Sequence, residues 1–194
     1  MIIGVLGGSF CPPTNAHIEL SKKCIESGLC DKVIWVPVND AYRKSTNISA
    51  KHRCAMVDLA LKNESDITYS LHEQNHKDII RTLPSLQELQ ILYPNDELRF
   101  IAGADKLAFK WIQREEFVSN FGLILTDRDD VDCEAIIARS TTLAKYRHKI
   151  HVLKYQSSVS STEARTDIQT EGHTSVIPTA VMKYINDHNL FKEM

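Results

Sequence analysis

At 194 residues the chain can bury one full core, and its length favours a single domain over residues 1–194. It is 43% apolar and 25% charged, the composition of an ordinary soluble globular protein, and its net charge of -2 argues against a nucleic-acid or membrane partner. The sequence has no apolar run long enough to span a bilayer and no leader-like N-terminus, and its five cysteines are odd in number without a CxxC, so a disulfide framework or zinc knuckle is not expected. Free thiols in a reducing cytoplasm are the expectation.

Apolar runs alternate with helical patterns along the whole chain, which predicts βα units and a mostly parallel sheet. The first strand, over 2–6, runs into Gly7-Gly8-Ser9-Phe10 and then a helix over 15–27. A strand over 33–38 and a helix over 49–62 follow, with Ser49 as N-cap. Further strands are predicted over 67–70, 98–102, 122–126 and 150–154. The helices between and after them fall over 78–92, 114–119, 132–144, 162–169 and 178–187, with Pro178 in the first turn of the last. In such a sheet ligands sit beyond the carboxyl ends of the strands, and the motifs below all fall there.

The first motif is the glycine turn and the helix start behind it. Glycines let a backbone approach a ligand closely, and a helix N-terminus offers N–H groups and a positive dipole end to an anion. Thr14 and His17 stand three apart and share a helix face. Together they outline a nucleotide phosphate site; the bland alternative is a strand–turn–helix with a capping Thr and a surface His. Near the C-terminus, Val159-Ser160-Ser161-Thr162-Glu163-Ala164-Arg165 opens a second helix after a strand. Ser160 and Glu163 have capping-box spacing, so an ordinary capped helix with an exposed arginine competes with a second phosphate-binding helix start. Phe100-Ile101-Ala102-Gly103-Ala104-Asp105 is a third strand end, where Asp105 also reads as an N-cap.

Gly8-Ser9-Phe10-Cys11-Pro12-Pro13-Thr14-Asn15-Ala16-His17 is neither a Walker loop nor a GxGxxG fingerprint. It resembles the GxFxPx[HT]xxH signature of the nucleotidyltransferases. The Ser160–Arg165 segment is similar to the ISSTxxR element of those members that make dinucleotide coenzymes, with Val159 for the leading Ile. Val36-Pro37-Val38-Asn39-Asp40-Ala41-Tyr42-Arg43-Lys44 is similar to the PVNDxYxK stretch of nicotinamide mononucleotide adenylyltransferases.

The resemblance implies a Rossmann-like, doubly wound α/β fold of the nucleotidyltransferase type. It also implies adenylyl transfer from ATP to nicotinate or nicotinamide mononucleotide. Gly8, Ser9, Phe10, His17, Gly103, Asp105, Ser160, Ser161 and Arg165 would then contact ATP. His17 would be the main catalytic group, with Thr14, Lys44 and Arg165 assisting. Lys44, His76, Trp111 and Arg128 would meet the pyridine mononucleotide. Mg²⁺ would arrive on the triphosphate, held by phosphate oxygens and water. Cys11 is a spacer, since the family needs no thiol there. Lys44 and Arg53 have solvated charge as their bland alternative. The family places an aromatic and a threonine before the helix holding Thr82-Leu83. Here those places fall to His76 and Ile79, and Ile79 offers no hydroxyl.

A pantetheine-phosphate adenylyltransferase, a cytidylyltransferase and a non-catalytic nucleotide sensor are the alternatives. Oligomeric state, a homo-oligomer included, and the choice between nicotinate and nicotinamide stay open.

Overall fold

The computed structural model describes residues 1–42, 48–104, 114–126 and 132–191. Six strands form one sheet: β1 (Ile2–Gly8), β2 (Lys32–Pro37), β3 (Ile67–Tyr69), β4 (Glu97–Gly103), β5 (Gly122–Thr126) and β6 (Ile150–Leu153). Their order is β3-β2-β1-β4-β5-β6, and every neighbouring pair is parallel. The chain winds outward from β1 to one edge, returns to β4 and winds to the other. The direction therefore reverses between β1 and β4, and this opens a crevice at their carboxyl ends.

The helices are α1 (Asn15–Glu26), α2 (Ala50–Leu61), α3 (Thr82–Leu92), α4 (Arg114–Asn120), α5 (Cys133–Arg139), α6 (Thr141–Lys145), α7 (Ser161–Glu171) and α8 (Thr179–Asp187). Buried strands feed a core on each face by simple alternation. On β2, Val33 and Trp35 enter one core with Cys24 of α1, Met56 and Val57 of α2, Ile168 of α7 and Val181 of α8. Ile34 and Val36 enter the other with Leu86 of α3, Phe117 of α4, Ile137 of α5 and Leu143 of α6.

The expected elements are present, with four shifts at their boundaries. The helix foreseen over 78–92 begins only at Thr82; a short 3-10 helix, His72–Asn75, and an extended, exposed segment come first. The carbonyls of His76 and Asp78 are taken by the Asn39 side chain, so they do not serve a helix. The helix foreseen over 132–144 is two. Ser140, at φ -98° and ψ 113°, ends α5 and caps α6, its Oγ accepting from Leu143 N–H. Pro178 is the N-cap of α8 rather than a first-turn residue. Ser49 is the N-cap of α2, but its side chain makes no capping bond; the Asp40 carboxylate accepts from Ala50 N–H instead.

Gly4 lies on the central strand β1, and a Cβ there would stand 3.0 Å from Cys30 Sγ, 3.0 Å from Ile101 Cδ1 and 3.2 Å from Val33 Cγ2. Overfilling a buried site of this kind costs about 1–3 kcal/mol. Gly4→Ala should therefore lower Tm by roughly 2–10 °C, read by thermal melting. An unchanged Tm would mean that these three side chains yield freely.

Candidate active site

Beyond β1 the chain enters the glycine turn. Phe10 takes a positive φ of 48°, a conformation an aromatic residue rarely adopts and one that costs on the order of 1–3 kcal/mol. Its ring lies flat on Trp35, with centroids 4.7 Å apart and 4° between planes, and is almost wholly buried. Burial and stacking hold the residue in place. Phe10 was expected among the ATP contacts; its ring forms the floor of the turn, which leaves its backbone to meet a ligand.

His17 stands on that floor, its ring centroid 5.2 Å from Phe10 and 5.8 Å from Trp35. Trp35 Nε1–H donates to Ser21 Oγ at 2.9 Å, and Ser21 Oγ–H donates to the His17 carbonyl at 2.9 Å. The buried indole therefore has its partner, and the first turn of α1 is tied to β2. Thr14 is the N-cap and is fully buried. Its backbone N–H donates to His17 Nδ1 at 3.0 Å, and its Oγ1 lies 2.7 Å from the same nitrogen. A backbone N–H can only donate, so Nδ1 carries the lone pair and the ring proton sits on Nε2. Thr14 thus fixes both the orientation and the tautomer of His17.

The second motif docks on the first. Ser160 and Glu163 form the expected capping box: Ser160 Oγ accepts from Glu163 N–H at 3.1 Å, and Ser160 N–H donates to Glu163 Oε2 at 3.3 Å. Ser161 Oγ donates to the Pro12 carbonyl at 2.8 Å. Arg165 Nη1 donates to the Cys11 carbonyl at 2.8 Å and Nη2 to Thr162 Oγ1 at 3.1 Å. Arg165 is half-buried rather than exposed, and the start of α7 lies against the turn that leads into α1. Cys11 itself is fully buried, as suits a spacer.

Arg53 departs from the bland alternative of a solvated charge: it is only 4% exposed. Its Nη1 donates to the Ser9 carbonyl at 3.0 Å, and its Nη2 lies 3.4 Å from Asp40 Oδ1. The signal was present in the helical period. Arg53 shares the buried face of α2 with Met56, Val57, Ala60 and Leu61, at the spacing of an apolar stripe.

Gly103 ends β4 beside Thr126 of β5, at the other wall of the crevice. His76 stands elsewhere, on the connection after β3, with Nε2 2.9 Å from Glu88 Oε2 of α3. Lys44, Asp105, Trp111 and Arg128 lie outside the described residues. Among the described residues no group of three His, Cys, Asp or Glu is placed to hold a metal ion, and no helix is long and apolar enough to cross a membrane. None of the five cysteines is in a disulfide, and burial pushes the thiols of Cys24 and Cys30 up to about 12 and about 11, so neither is a ready nucleophile.

The family model described as cytidylyltransferase-like matches residues 5–167. Among curated relatives, one from Carboxydothermus hydrogenoformans is 32% identical over 196 residues, covering 98% of both chains. Another, from Psychromonas ingrahamii, is 29% identical over 209 residues, covering 98% of this chain and 97% of its own. Both are named "Probable nicotinate-nucleotide adenylyltransferase". Among solved structures, Plasmodium falciparum nicotinic acid mononucleotide adenylyltransferase complexed with NaAD superposes with a TM-score of 0.75 at 22% identity, covering 98% of this chain and 97% of that one. At that identity the likeness is one of fold. The chain belongs to the cytidylyltransferase-like family, and within it aligns over almost its whole length with nicotinate-nucleotide adenylyltransferases.

Proposed function

We propose that this nucleotidyltransferase, working as one domain over residues 1–194, transfers the adenylyl group of ATP to nicotinate mononucleotide. The observation that carries the reading is the meeting of two sequence-distant motifs. Ser161 and Arg165 bond the carbonyls of Pro12 and Cys11, directly before the helix that bears Thr14 and His17. Two helix N-termini, a guanidinium and an oriented imidazole N–H then serve one polyphosphate. The names of the relatives support nicotinate over nicotinamide as the acceptor. Five cysteines without a disulfide suit a reducing cytoplasm.

A phosphate oxygen of the mononucleotide attacks the α-phosphorus of ATP. The bond from that phosphorus to the oxygen bridging to the β-phosphate breaks, and pyrophosphate leaves with the electron pair. The nucleophile is already an anion, so no general base is needed. The work left to the protein is positioning and the neutralisation of growing negative charge. With Nδ1 accepting from Thr14 N–H, the proton of a neutral His17 ring lies on Nε2, which would donate to a phosphate oxygen on substrate binding. Arg165 and the start of α7 would take the triphosphate. Gly8, Ser9 and the Phe10 backbone would line its path. Gly103 and Asp105 would border the adenosine, and Ser160 would contact the phosphates. Lys44, His76, Trp111 and Arg128 would serve the mononucleotide. Mg²⁺ enters as part of the ATP complex, held by phosphate oxygens and water; the described residues offer no ligand set of their own, so no step is assigned to a protein-bound ion.

The reading is tested by ATP-dependent pyrophosphate release with nicotinate mononucleotide, nicotinamide mononucleotide and phosphopantetheine in parallel. Turnover fastest with nicotinate mononucleotide is expected; turnover with phosphopantetheine alone would move the chain to another branch of the family. His17→Ala should lower kcat by about 10²–10³-fold, the usual loss for one transition-state donor, with little change in mononucleotide KM. Near-normal turnover would remove His17 from its role. Arg165→Ala should raise the KM for ATP by roughly tenfold or more, as the loss of a charge-assisted contact does, and leave that for the mononucleotide nearly unchanged. An unaltered ATP KM would reduce Arg165 to a brace between α7 and the Cys11 carbonyl.

A further inference from the structure

We propose that Asn39 is a positioning residue for the acceptor side of the site, setting the backbone of the exposed segment Asn75–Ile79 through its carboxamide. Asn39 lies just past the carboxyl end of β2 and is 3% exposed. Its Nδ2 donates to the carbonyls of His76, at 3.2 Å, and Asp78, at 2.7 Å. Its Oδ1 accepts from Ala41 N–H at 3.1 Å. Both amide hydrogens and the oxygen are used, so the orientation of the group is determined; turned over, its oxygen would face two carbonyl oxygens.

The segment held this way is exposed through five consecutive residues, Asn75 to Ile79. Upstream of it the chain is fixed by a buried polar relay. Ser85 Oγ–H donates to Glu73 Oε1 at 2.6 Å, and His72 Nε2 lies 2.9 Å from the same Ser85 oxygen. With the Ser85 hydrogen spent on Glu73, His72 Nε2–H is the donor there, and His72 Nδ1 accepts from Ser70 Oγ at 2.9 Å. Gln74 Nε2 adds a bond to the Pro37 carbonyl at 2.6 Å. Downstream, α3 begins at Thr82. Between these fixed ends, Asn39 grips alternate carbonyls, and this defines the path of the chain across the end of β2.

That path runs beside the phosphate turn. Val38 N–H donates to the Gly8 carbonyl at 3.0 Å, so Asn39 is one residue away from a direct backbone tie to the turn. Its other neighbour, Asp40, meets Arg53, which holds the Ser9 carbonyl. An acceptor whose phosphate must reach the α-phosphorus of ATP approaches from a flank of this turn, and the 75–79 segment borders one such flank. The inference rests on the adenylyl-transfer reading for its substrate, though not for its geometry.

Asn39→Asp tests it, because the shape is kept while two donors become an anionic acceptor aimed at two carbonyls. The KM for nicotinate mononucleotide should rise about tenfold or more, with kcat and the KM for ATP within about twofold of wild type. Asn39→Ala should move the same constant in the same direction by less, and it carries the test should the Asp variant not fold. An unchanged mononucleotide KM, or equal rises for both substrates, overturns the proposal. Tryptic cleavage after Lys77 supplies a readout that needs no turnover. It should be faster in both variants than in wild type, and equal rates would end the positioning claim. A wild-type protein that releases no pyrophosphate with any acceptor would sink the functional reading alone, leaving the cleavage comparison to decide the role of Asn39.

Discussion

Ser161 and Arg165 each donate one hydrogen bond to the turn before α1, to the carbonyls of Pro12 and Cys11, and these two bonds join the two motifs of the candidate site. The donors belong to the helix after the edge strand β6, whereas the acceptors follow the central strand β1. Five strands, β2 to β6, intervene with their connections, so the groups meet only when the whole sheet has assembled. Burial supplies most of the force that brings α7 back. Ala164 and Ile168 enter the core that also holds Cys24, Trp35 and Val181. The hydrogen bonds then set the rotation of α7 about its axis, and with it the place of the arginine.

The same core explains how a strained turn is tolerated. Phe10 at positive φ would be a poor choice for an isolated loop. Stacked on Trp35 and sealed from water, the ring gains apolar burial and ring contact that offset the backbone cost. The indole needs a partner for its N–H, and Ser21 provides one that also bonds the His17 carbonyl. One buried arrangement therefore shapes the turn, seats the helix start and supports the imidazole above it.

Much of this was legible in the sequence. Strand positions came through because buried parallel strands read as short apolar runs, and the two motifs came through because spacing survives where composition is unremarkable. The capping box at Ser160 and Glu163 followed from spacing alone. What was lost depends on long-range polar contacts. The start of α3 was placed too early because nothing local shows that Asn39, far back in the chain, takes the carbonyls of His76 and Asp78. Helix 132–144 was drawn as one because a serine at a break reads like any polar surface residue. Ser49 reads as a capping side chain, yet Asp40, ten residues before Ala50, supplies the acceptor for its N–H. For Arg53 solvated charge is only the bland alternative, and its place on the apolar stripe of α2 points inward.

The two flanks of the glycine turn are built on different physical terms. On the side facing α1 and α2 the carbonyls and helix ends are locked by buried groups: Phe10, Thr14, Trp35 and Arg53 are all at most 4% exposed. Arg53 is a buried cation that holds the Ser9 carbonyl and whose Nη2 lies 3.4 Å from Asp40 Oδ1, a carboxylate 62% exposed. Such a flank has little to reorganise when a polyphosphate arrives. On the other flank an exposed segment crosses the end of β2, gripped at two carbonyls by one buried amide and fixed upstream by the Ser70–His72–Ser85–Glu73 relay. Its five residues Asn75 to Ile79 are all exposed, so little burial supports its middle. The buried frame around the glycine turn and the exposed 75–79 segment are therefore held by different forces, packing and ring stacking in the first and a few polar bonds in the second.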